Sequence, residues 1–235
     1  PRIIPNRFGK HATPSAVALD PEKGILVGEE ALKLGVSRYD RTVSAFKRRM
    51  GSGFPFRVGE RIYSPLELST IIIKALLKDA AAFLGQPAEA ALIAVPAHFN
   101  ESQRRATMEA GKKAGLSRVR LINEPTAAAL AYGREIRGRT AVFDFGGGTL
   151  DISLLEINPA ATRVRCVGGD SRLGGLDFTR LLYAALREEI ADAGASDPGM
   201  VEARLFECAE ELKIALSSVR EAVSSISGKE IRVSR

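Results

Sequence analysis

The chain has 235 residues, enough for one large domain or two small ones, and its 45% hydrophobic and 26% charged residues match a globular protein. This composition excludes a disordered, collagen-like or low-complexity chain. The net charge of +6 comes without Trp and with only 6% aromatic residues, so it gives little support for a nucleic-acid partner.

The expected compartment follows from the termini, the apolar runs and the cysteines. No apolar run approaches the roughly 18 residues that would span a bilayer, and no signal-peptide pattern opens the chain. Cys166 and Cys208 match no metal or redox spacing and lie among apolar residues, which predicts two buried thiols in a reducing compartment. We therefore predict a cytoplasmic protein without a membrane segment, and the start at Pro1 rather than Met predicts an excised fragment.

Short elements are predicted for the first quarter of the chain. Short strands broken by Gly9 and Pro14 are expected over 3–19 and a brief strand over 24–28. A helix over 29–34 is expected to end at Gly35, and a second helix is predicted over 42–50. A hairpin over 57–62 has Gly59 in its turn.

The densest basic segment overlaps the second of these helices. Its members are Arg38, Arg41, Lys47, Arg48 and Arg49. Two interpretations stay open: the segment is a solvated helix face, or one of its members contacts phosphate.

The middle of the chain predicts alternating helices and strands. Ser64, Pro65 and Glu67 form a capping box with Pro at the first helical position, and apolar residues then recur at helical spacing until Gly85. A buried strand, a helix capped by Asn100, a second strand and a short Ala-rich helix follow over 90–95, 100–115, 119–122 and 125–133. This alternation is typical of an α/β layer architecture.

A β-meander and two helices are predicted for the remainder. The strands are expected over 140–145, 149–157 and 164–167, with three glycines in the first turn. The helices are predicted over about 176–191 and 201–217, separated by a break over 194–199, and a strand pair around Gly228 over 222–235.

The first turn of the meander carries the clearest chemical signal. Its residues are, in order, Asp144, Gly146, Gly147, Gly148, Thr149 and Asp151. The glycines let a ligand approach the backbone, and their consecutive amides can form an anion-binding nest. The threonine adds a hydroxyl, and the two carboxylates suit Mg²⁺ with its bound waters. The sequence therefore favours a metal–phosphate complex at this hairpin.

Other phosphate motifs fit the same segment poorly. No Lys-Ser/Thr pair follows the glycines, so the loop is not a Walker A motif. A strand rather than a helix follows, which excludes the dinucleotide fingerprint. An ordinary Gly-rich hairpin turn is the remaining alternative, and the two aspartates and the threonine disfavour it.

Several long segments resemble the 70-kDa heat-shock chaperone family, of the DnaK type. The Phe-Asp-Phe-Gly-Gly-Gly-Thr run at 143–149 resembles the family's second phosphate loop, and the Asn-Glu-Pro-Thr-Ala-Ala-Ala run at 123–129 is nearly a family signature. Segments 95–107, 169–175 and 210–213 resemble further family motifs in the same order, so the resemblance covers essentially the whole chain. The Met-Gly-Ser at 50–52 is similar to that of a specialised bacterial member.

The resemblance implies an actin-like ATPase fold, built from ribonuclease H-like lobes and truncated here at both ends. Most of lobe I would be 1–138, with a peripheral subdomain over about 14–63 and a core subdomain over 64–138. The first part of lobe II would be 139–235, with a core subdomain over 139–173 and a partial peripheral subdomain over 174–235.

The resemblance also implies roles for individual residues. The expected catalytic residues are Lys47, Glu124 and Asp144. The metal, held mostly through water, would be near Asp144, Asp151 and Glu124. The expected nucleotide contacts are Gly146, Gly147, Gly148, Thr149, Glu210, Lys213 and Ser217. A relay to the substrate domain would use Pro96 and Arg104. The alternatives are structural: a surface lysine, a helix-start acid, a strand end, a surface charge and a plain amphipathic helix.

The function implied is that of an ATP-binding domain that hydrolyses ATP to ADP and phosphate with Mg²⁺. In the intact protein it would drive cycles of unfolded-peptide binding and release, with client peptides, a J-domain co-chaperone and a nucleotide exchange factor as partners. The alternative is a non-catalytic actin-like interaction module. Actin-like proteins and sugar kinases share the phosphate hairpin but not the run at 123–129, which favours the chaperone.

The match to the family is incomplete. The family's first phosphate loop, its late adenosine loop and its substrate-binding domain have no counterpart in this sequence, and Ala12 stands where many members have Thr. We therefore expect an incomplete clamp with little or no turnover, and exposed strand edges that favour association.

Overall fold

Small sheets and helices alternate along the chain in the computed structural model, which describes residues 2–132, 137–190, 198–226 and 229–235. This mixed arrangement confirms the α/β class. Predictions that concern Gly133, Gly228 and residues 194–197 lie outside the described residues. Within those ranges, no helix is both long and apolar enough to cross a membrane.

An antiparallel sheet of three strands comes first. In the order β2-β1-β3 it contains Ala16–Asp20 (β1), Gly24–Val27 (β2) and Thr42–Ser44 (β3). The predicted strands before residue 16 are wrong, because Asn6 Oδ1 accepts from the amides of Phe8 and Lys10 and holds this stretch in a turn.

The first helix, Glu29–Ser37 (α1), continues past Gly35, where the sequence predicted its end. Gly35 serves helix packing instead: a Cβ there would lie 3.1 Å from the Thr42 side chain. Ala31 is fully buried against Ala16 and Ala18 of β1, which seats the helix on the sheet.

The helix predicted over 42–50 is also wrong. After β3 the chain passes through Ala45 in the left-handed conformation (φ 57°) into a 3₁₀ turn, Phe46–Arg49. Phe46 and Met50 are buried in two different hydrophobic clusters, so tertiary packing holds both ends of the turn. We call Phe46–Arg49 the basic turn.

The next elements follow the sequence prediction closely. They are the hairpin Phe56–Val58 (β4) and Arg61–Tyr63 (β5), and the helix Pro65–Leu84 (α2). Gly59 has φ 60° in the hairpin turn. Both bonds of the capping box between Ser64 and Glu67 are present, and Gly85 ends the helix in the left-handed conformation.

A parallel strand pair lies at the centre of the chain. It is built from Ala90–Val95 (β6), Glu101–Lys113 (α3) and Arg118–Asn123 (β7), followed by Glu124–Tyr132 (α4). The prediction of a buried strand is wrong in part, since β6 alternates and Leu92 is 61% exposed. Residues of α2 and α3 pack against Val95 and Leu121, whereas the opposite side of the strand is open.

The predicted meander is present in the order β10-β9-β8. Its strands are Gly138–Phe145 (β8), Leu150–Ile157 (β9) and Thr162–Asp170 (β10). One face of β9 is buried, with Leu155 packed against Ala129 of α4. Cys166 is exposed, contrary to prediction, because the register shifts between Val164 and Cys166 and the rest of this edge strand is uncovered.

The last elements form a separate cluster. They are Gly175–Ile190 (α5), Pro198–Leu216 (α6), Glu221–Ile226 (β11) and Lys229–Ser234 (β12). Cys208 is buried here as predicted, together with Leu186, Leu212 and Ile231.

Candidate functional site

The glycine hairpin, residues 146–149, joins β8 to β9 in a tight turn closed by a bond of 2.9 Å from the Gly146 amide to the Thr149 carbonyl. The chain before α5 packs directly on it. A Cβ at Gly174 would lie 2.6 Å from the Gly148 nitrogen and 2.7 Å from the Gly147 carbonyl oxygen. Only glycine permits this approach, which places the start of α5 behind the hairpin.

All three glycine carbonyls accept hydrogen bonds from outside the hairpin. The donors to residues 146, 147 and 148 are, in order, the Gly175 amide at 3.0 Å, the Leu176 amide at 2.8 Å and Arg48 Nε at 2.8 Å. In a planar trans peptide the N–H points away from the preceding C=O. The amides of Gly147, Gly148 and Thr149 therefore point away from these donors, and none of them bonds another described residue. Consecutive free amides of this kind attract anions.

Two carboxylates lie next to the hairpin. Asp144 and Asp151 are direct partners across the β8–β9 pair, Asp144 exposed and Asp151 only 5% exposed. Like charges in this arrangement destabilise a sheet unless a cation offsets them. Asp151 Oδ2 is buried without a hydrogen-bond partner, and such an atom is costly to leave unpaired. The pair therefore fits a bound cation.

The other oxygen of Asp151 is engaged by a residue that sequence reasoning missed. His98, in the turn after β6, lies with Nδ1 2.6 Å from Asp151 Oδ1. Neither spacing nor composition signals this pair, because the two residues are 53 positions apart. The contact links the parallel strand pair to the meander.

The three predicted metal residues do not form a complete ligand set by themselves. In the described part of the chain, no three His, Cys, Asp or Glu side chains are arranged to hold a metal ion. Mg²⁺ commonly takes one or two carboxylates and keeps several waters, so Asp144 and Asp151 fit this metal through water.

Each charged residue of the basic turn has its own partner. Lys47 Nζ lies 2.7 Å from Glu124 Oε1, Arg48 bonds both oxygens of Asp177 at 3.1 and 2.6 Å, and the Arg49 guanidinium lies 4.7 Å from the Phe54 ring centre. The segment is not a helix face, although Lys47 and Arg49 are exposed to solvent. The structure brings the predicted catalytic residues Lys47 and Glu124 together, with 55% of the Lys47 side chain exposed. The Arg48 hydrogen bond also holds the pKa of Asp177 below its ordinary value.

Two of the three predicted nucleoside residues, Glu210 and Lys213, contact each other through their side chains, and the third, Ser217, does not join this pair. Lys213 Nζ contacts Glu210 Oε2 at 2.6 Å and Thr179 Oγ1 at 3.0 Å, and it donates to the Gly175 carbonyl at 3.3 Å. These bonds tie α6 to the first turn of α5, behind the glycine hairpin. Ser217 is exposed and stays outside this network, with Oγ 3.4 Å from the Lys213 carbonyl.

A cleft of about 740 Å³ lies between α1 and β3 on one side and α5 and α6 on the other. Its walls include Tyr39, Thr42, Ala45, Leu176, Glu210 and Ile214. Ala45 directly precedes the basic turn, and Glu210 bonds Lys213. The cleft thus has the residue before the basic turn at one wall and Glu210, one of the three predicted nucleoside residues, at the other. Its volume falls in the range of small-molecule sites.

The two predicted relay residues are close together. Pro96 is fully buried at the end of β6. Arg104 bonds the carbonyls of Phe99 at 2.9 Å and Ala97 at 3.3 Å and reaches Asn123 Oδ1 at 2.8 Å. The arginine is therefore not a surface charge but a clamp on the turn that carries His98.

Comparisons with known proteins agree with these motifs. The family model described as "Hsp70 protein" matches residues 1–58 and 55–232. Proteins named "Chaperone protein DnaK" from Thermosipho melanesiensis and Thermotoga maritima are each 42% identical over 230 residues, which is 95% of this chain and 39% of theirs. The one from Nitrosopumilus maritimus is 41% identical over 231 residues, 94% of this chain and 36% of its own length. The chain thus spans well under half the length of these curated relatives.

Proposed function

The chain belongs to the Hsp70 family. From this membership we propose that it is part of the nucleotide-binding domain of a DnaK-type chaperone and has the actin-like ATPase fold. The proposed lobes are 1–138 and 139–235, with subdomains over about 14–63, 64–138, 139–173 and 174–235. In this division, two pairs of ionisable side chains in the described part of the chain cross from one lobe to the other, Arg48–Asp177 and His98–Asp151. Both lie beside the glycine hairpin, which supports a nucleotide site between the lobes.

One observation carries the proposal: the carbonyls of Gly146, Gly147 and Gly148 are all bonded from behind, so three consecutive amides are left for a ligand. In this proposal the glycines and Thr149 bind the phosphates of ATP or ADP. Backbone amides suit this task because they stay in place without the reorganisation that water would need.

Asp144 and Asp151 are proposed to hold Mg²⁺ through its waters. The free Oδ2 of Asp151 and the facing carboxylate of Asp144 support this fit. When bound, the metal supplies positive charge that offsets the negative charge of the phosphates. His98 holds Asp151 in place through its other oxygen.

Hydrolysis of ATP to ADP and phosphate is proposed to use Lys47, Glu124 and Asp144. Such phosphoryl transfer depends chiefly on positioning and charge stabilisation. Glu124 accepts one hydrogen bond from the Lys47 ammonium, and the remaining N–H groups of that ammonium can donate to the γ-phosphate and the attacking water. Asp144, exposed and without a side-chain partner among the described residues, can orient water.

The adenosine half of the nucleotide is proposed to occupy the 740 Å³ cleft. Glu210 lines it, Lys213 is bonded to Glu210, and Ser217 follows one helical turn later. The largely apolar wall contributed by residues such as Tyr39 and Ile214 suits a purine ring.

In the whole protein, nucleotide turnover is proposed to drive cycles of unfolded-peptide binding and release in the cytoplasm. Pro96 and Arg104 would relay the nucleotide state, since Arg104 holds the turn that follows Pro96. The proposed partners are client peptides, a J-domain co-chaperone and a nucleotide exchange factor.

Calorimetry of Mg-ATP binding tests the proposal. It compares this chain with a form extended at both ends by the corresponding segments of the Thermotoga maritima relative. Binding by either form, lost when Gly148 is replaced by a residue with a side chain, supports the site. If neither form binds, the nucleotide function is overturned and the non-catalytic interaction module becomes the better interpretation.

A further inference from the structure

We propose that Arg48 is a positioning residue for phosphate: it fixes the last peptide of the glycine hairpin and links that peptide, through Asp177, to the start of α5. The proposal rests on the nucleotide site proposed above and adds a residue that was given no role there. Its basis is a set of contacts made by one side chain.

The guanidinium of Arg48 donates hydrogen bonds to two different groups, a backbone carbonyl and a carboxylate. Nε donates to the Gly148 carbonyl at 2.8 Å, while Nη1 and Nη2 donate to the two carboxylate oxygens of Asp177 at 3.1 and 2.6 Å. Only 18% of the side chain is exposed. A planar fork can serve a carbonyl and a carboxylate together, whereas a lysine has one nitrogen on a flexible stem.

The same arginine secures the hairpin by a second route. Asp177 Oδ2 accepts from the Gly174 amide at 2.8 Å, and Gly174 packs against the peptide between Gly147 and Gly148. Arg48 thus holds the hairpin directly at Gly148 and indirectly through Asp177 and Gly174. These contacts join the basic turn of lobe I to the start of α5 in lobe II.

Loss of Arg48 would chiefly affect one backbone amide, that of Thr149. The carbonyls of Gly146 and Gly147 are held by backbone donors of α5, whereas Arg48 is the one donor to the Gly148 carbonyl among the described residues. Glycine rotates freely about its backbone, so without Arg48 the peptide between Gly148 and Thr149 is released. The Thr149 amide then no longer faces the ligand. Phosphate binding should weaken, while adenosine binding, which does not use this amide, should not.

The first test needs no ligand. Amide hydrogen exchange, resolved by NMR, is compared for this chain and for Arg48→Ala, Arg48→Lys and Arg49→Ala. Loss of a charge-assisted bond predicts exchange about tenfold faster or more at Gly146 in both Arg48 variants, because its amide bonds the Thr149 carbonyl. Arg49→Ala is the matched control, since it removes the same charge one position later and only loses contact with Phe54.

Arg48→Lys keeps the charge and most of the side chain, so it gives an answer even if Arg48→Ala does not fold. Unchanged exchange at Gly146 in Arg48→Lys, or equal acceleration in Arg49→Ala, would overturn the positioning role.

The second test separates this proposal from the proposed function. Calorimetry compares Mg-ADP with adenosine in whichever form of the protein binds nucleotide. We expect Arg48→Ala and Arg48→Lys to lower Mg-ADP affinity about tenfold and to leave adenosine affinity unchanged. If the wild type does not prefer Mg-ADP to adenosine, the proposed phosphate site itself fails. If the wild type has that preference and both Arg48 variants retain it, only the positioning proposal fails.

Discussion

The ammonium of Lys47 is held by the carboxylate of Glu124, yet 55% of the side chain stays exposed. We expect Lys47→Ala to lower single-turnover ATP hydrolysis by the full-length protein about 100- to 1000-fold, because in the proposed mechanism it removes the donor to the developing charge. The Kd for ATP should change far less. Lys113→Ala is the matched control, since that lysine is 56% exposed and paired with Glu109. Equal losses in rate and affinity would contradict the catalytic role.

The ion pair of Asp177 with Arg48 predicts how the stability of the protein depends on pH. Arg48 lowers the pKa of this carboxyl below its ordinary value of 3.8, so the folded state favours the charged form. The stabilisation is therefore complete above about pH 3.8 and is lost as the pH falls through the lower folded-state pKa. Urea unfolding at stepped pH should show the wild type exceeding Asp177→Asn in stability by an amount that shrinks below this value. Arg48→Ala should reduce that trend, because the Gly174 amide and Arg180 still lower the pKa of Asp177, and a difference independent of pH would refute it.

Some site residues could be predicted from sequence and others could not. The glycine hairpin and its aspartates lie within eight positions, so local spacing was enough to find them. Arg48, Asp177 and His98 act through partners 129 and 53 positions away. No local pattern specifies such contacts, because they exist only once the tertiary fold brings the segments together.

At the scale of elements, the contact between the start of α5 and the glycine hairpin has no spare space. Gly174→Ala would place a Cβ 2.6 Å from the Gly148 nitrogen, so one of the two backbones must move. We expect the free energy of unfolding to fall by about 1–3 kcal/mol, measured by urea denaturation. Gly53→Ala is the control, since nothing lies within 4 Å of a Cβ there. Equal stabilities for the two variants would show that the hairpin yields without cost.

Local signals decided which elements were predicted well. Helix α2 carries its start signal in Ser64, Pro65 and Glu67 and its stop in Gly85, and both ends are confirmed. The basic turn carries no such signals. Ala45 adopts a left-handed conformation that alanine disfavours by roughly 1–2 kcal/mol, and burial of Phe46 and Met50 in separate clusters imposes it.

At the scale of the whole molecule, one face of the meander is apolar and open. Phe143, Phe145 and Phe178 form an edge-to-face series with ring centres 6.2 and 5.9 Å apart, and Phe143 is 65% exposed. Exposed aromatic patches of this kind promote association. We expect this chain to self-associate at micromolar concentration, and Phe143→Ser to shift sedimentation velocity profiles toward monomer.

The control is Ile62→Ser, which removes an equally exposed side chain (63%) from the β4–β5 hairpin. If both variants or neither shift the sedimentation profile, the aromatic face is not the surface responsible.

The lobe and subdomain boundaries remain predictions, because they depend on the family resemblance and not on a contact in the structure.

The basic turn also determines when parts of the molecule can fold. Its contacts to Glu124 and Asp177 close loops of 77 and 129 residues, whereas β8–β9 and the capped α2 need only local contacts. Closing long loops costs more entropy, so we expect these ion pairs to form after the folding transition state. Arg48 variants should therefore unfold faster while refolding at nearly the wild-type rate. On the ribosome, the contact between Arg48 and Asp177 could not form until Asp177 has left the exit tunnel, so residues 46–49 would remain without it until then.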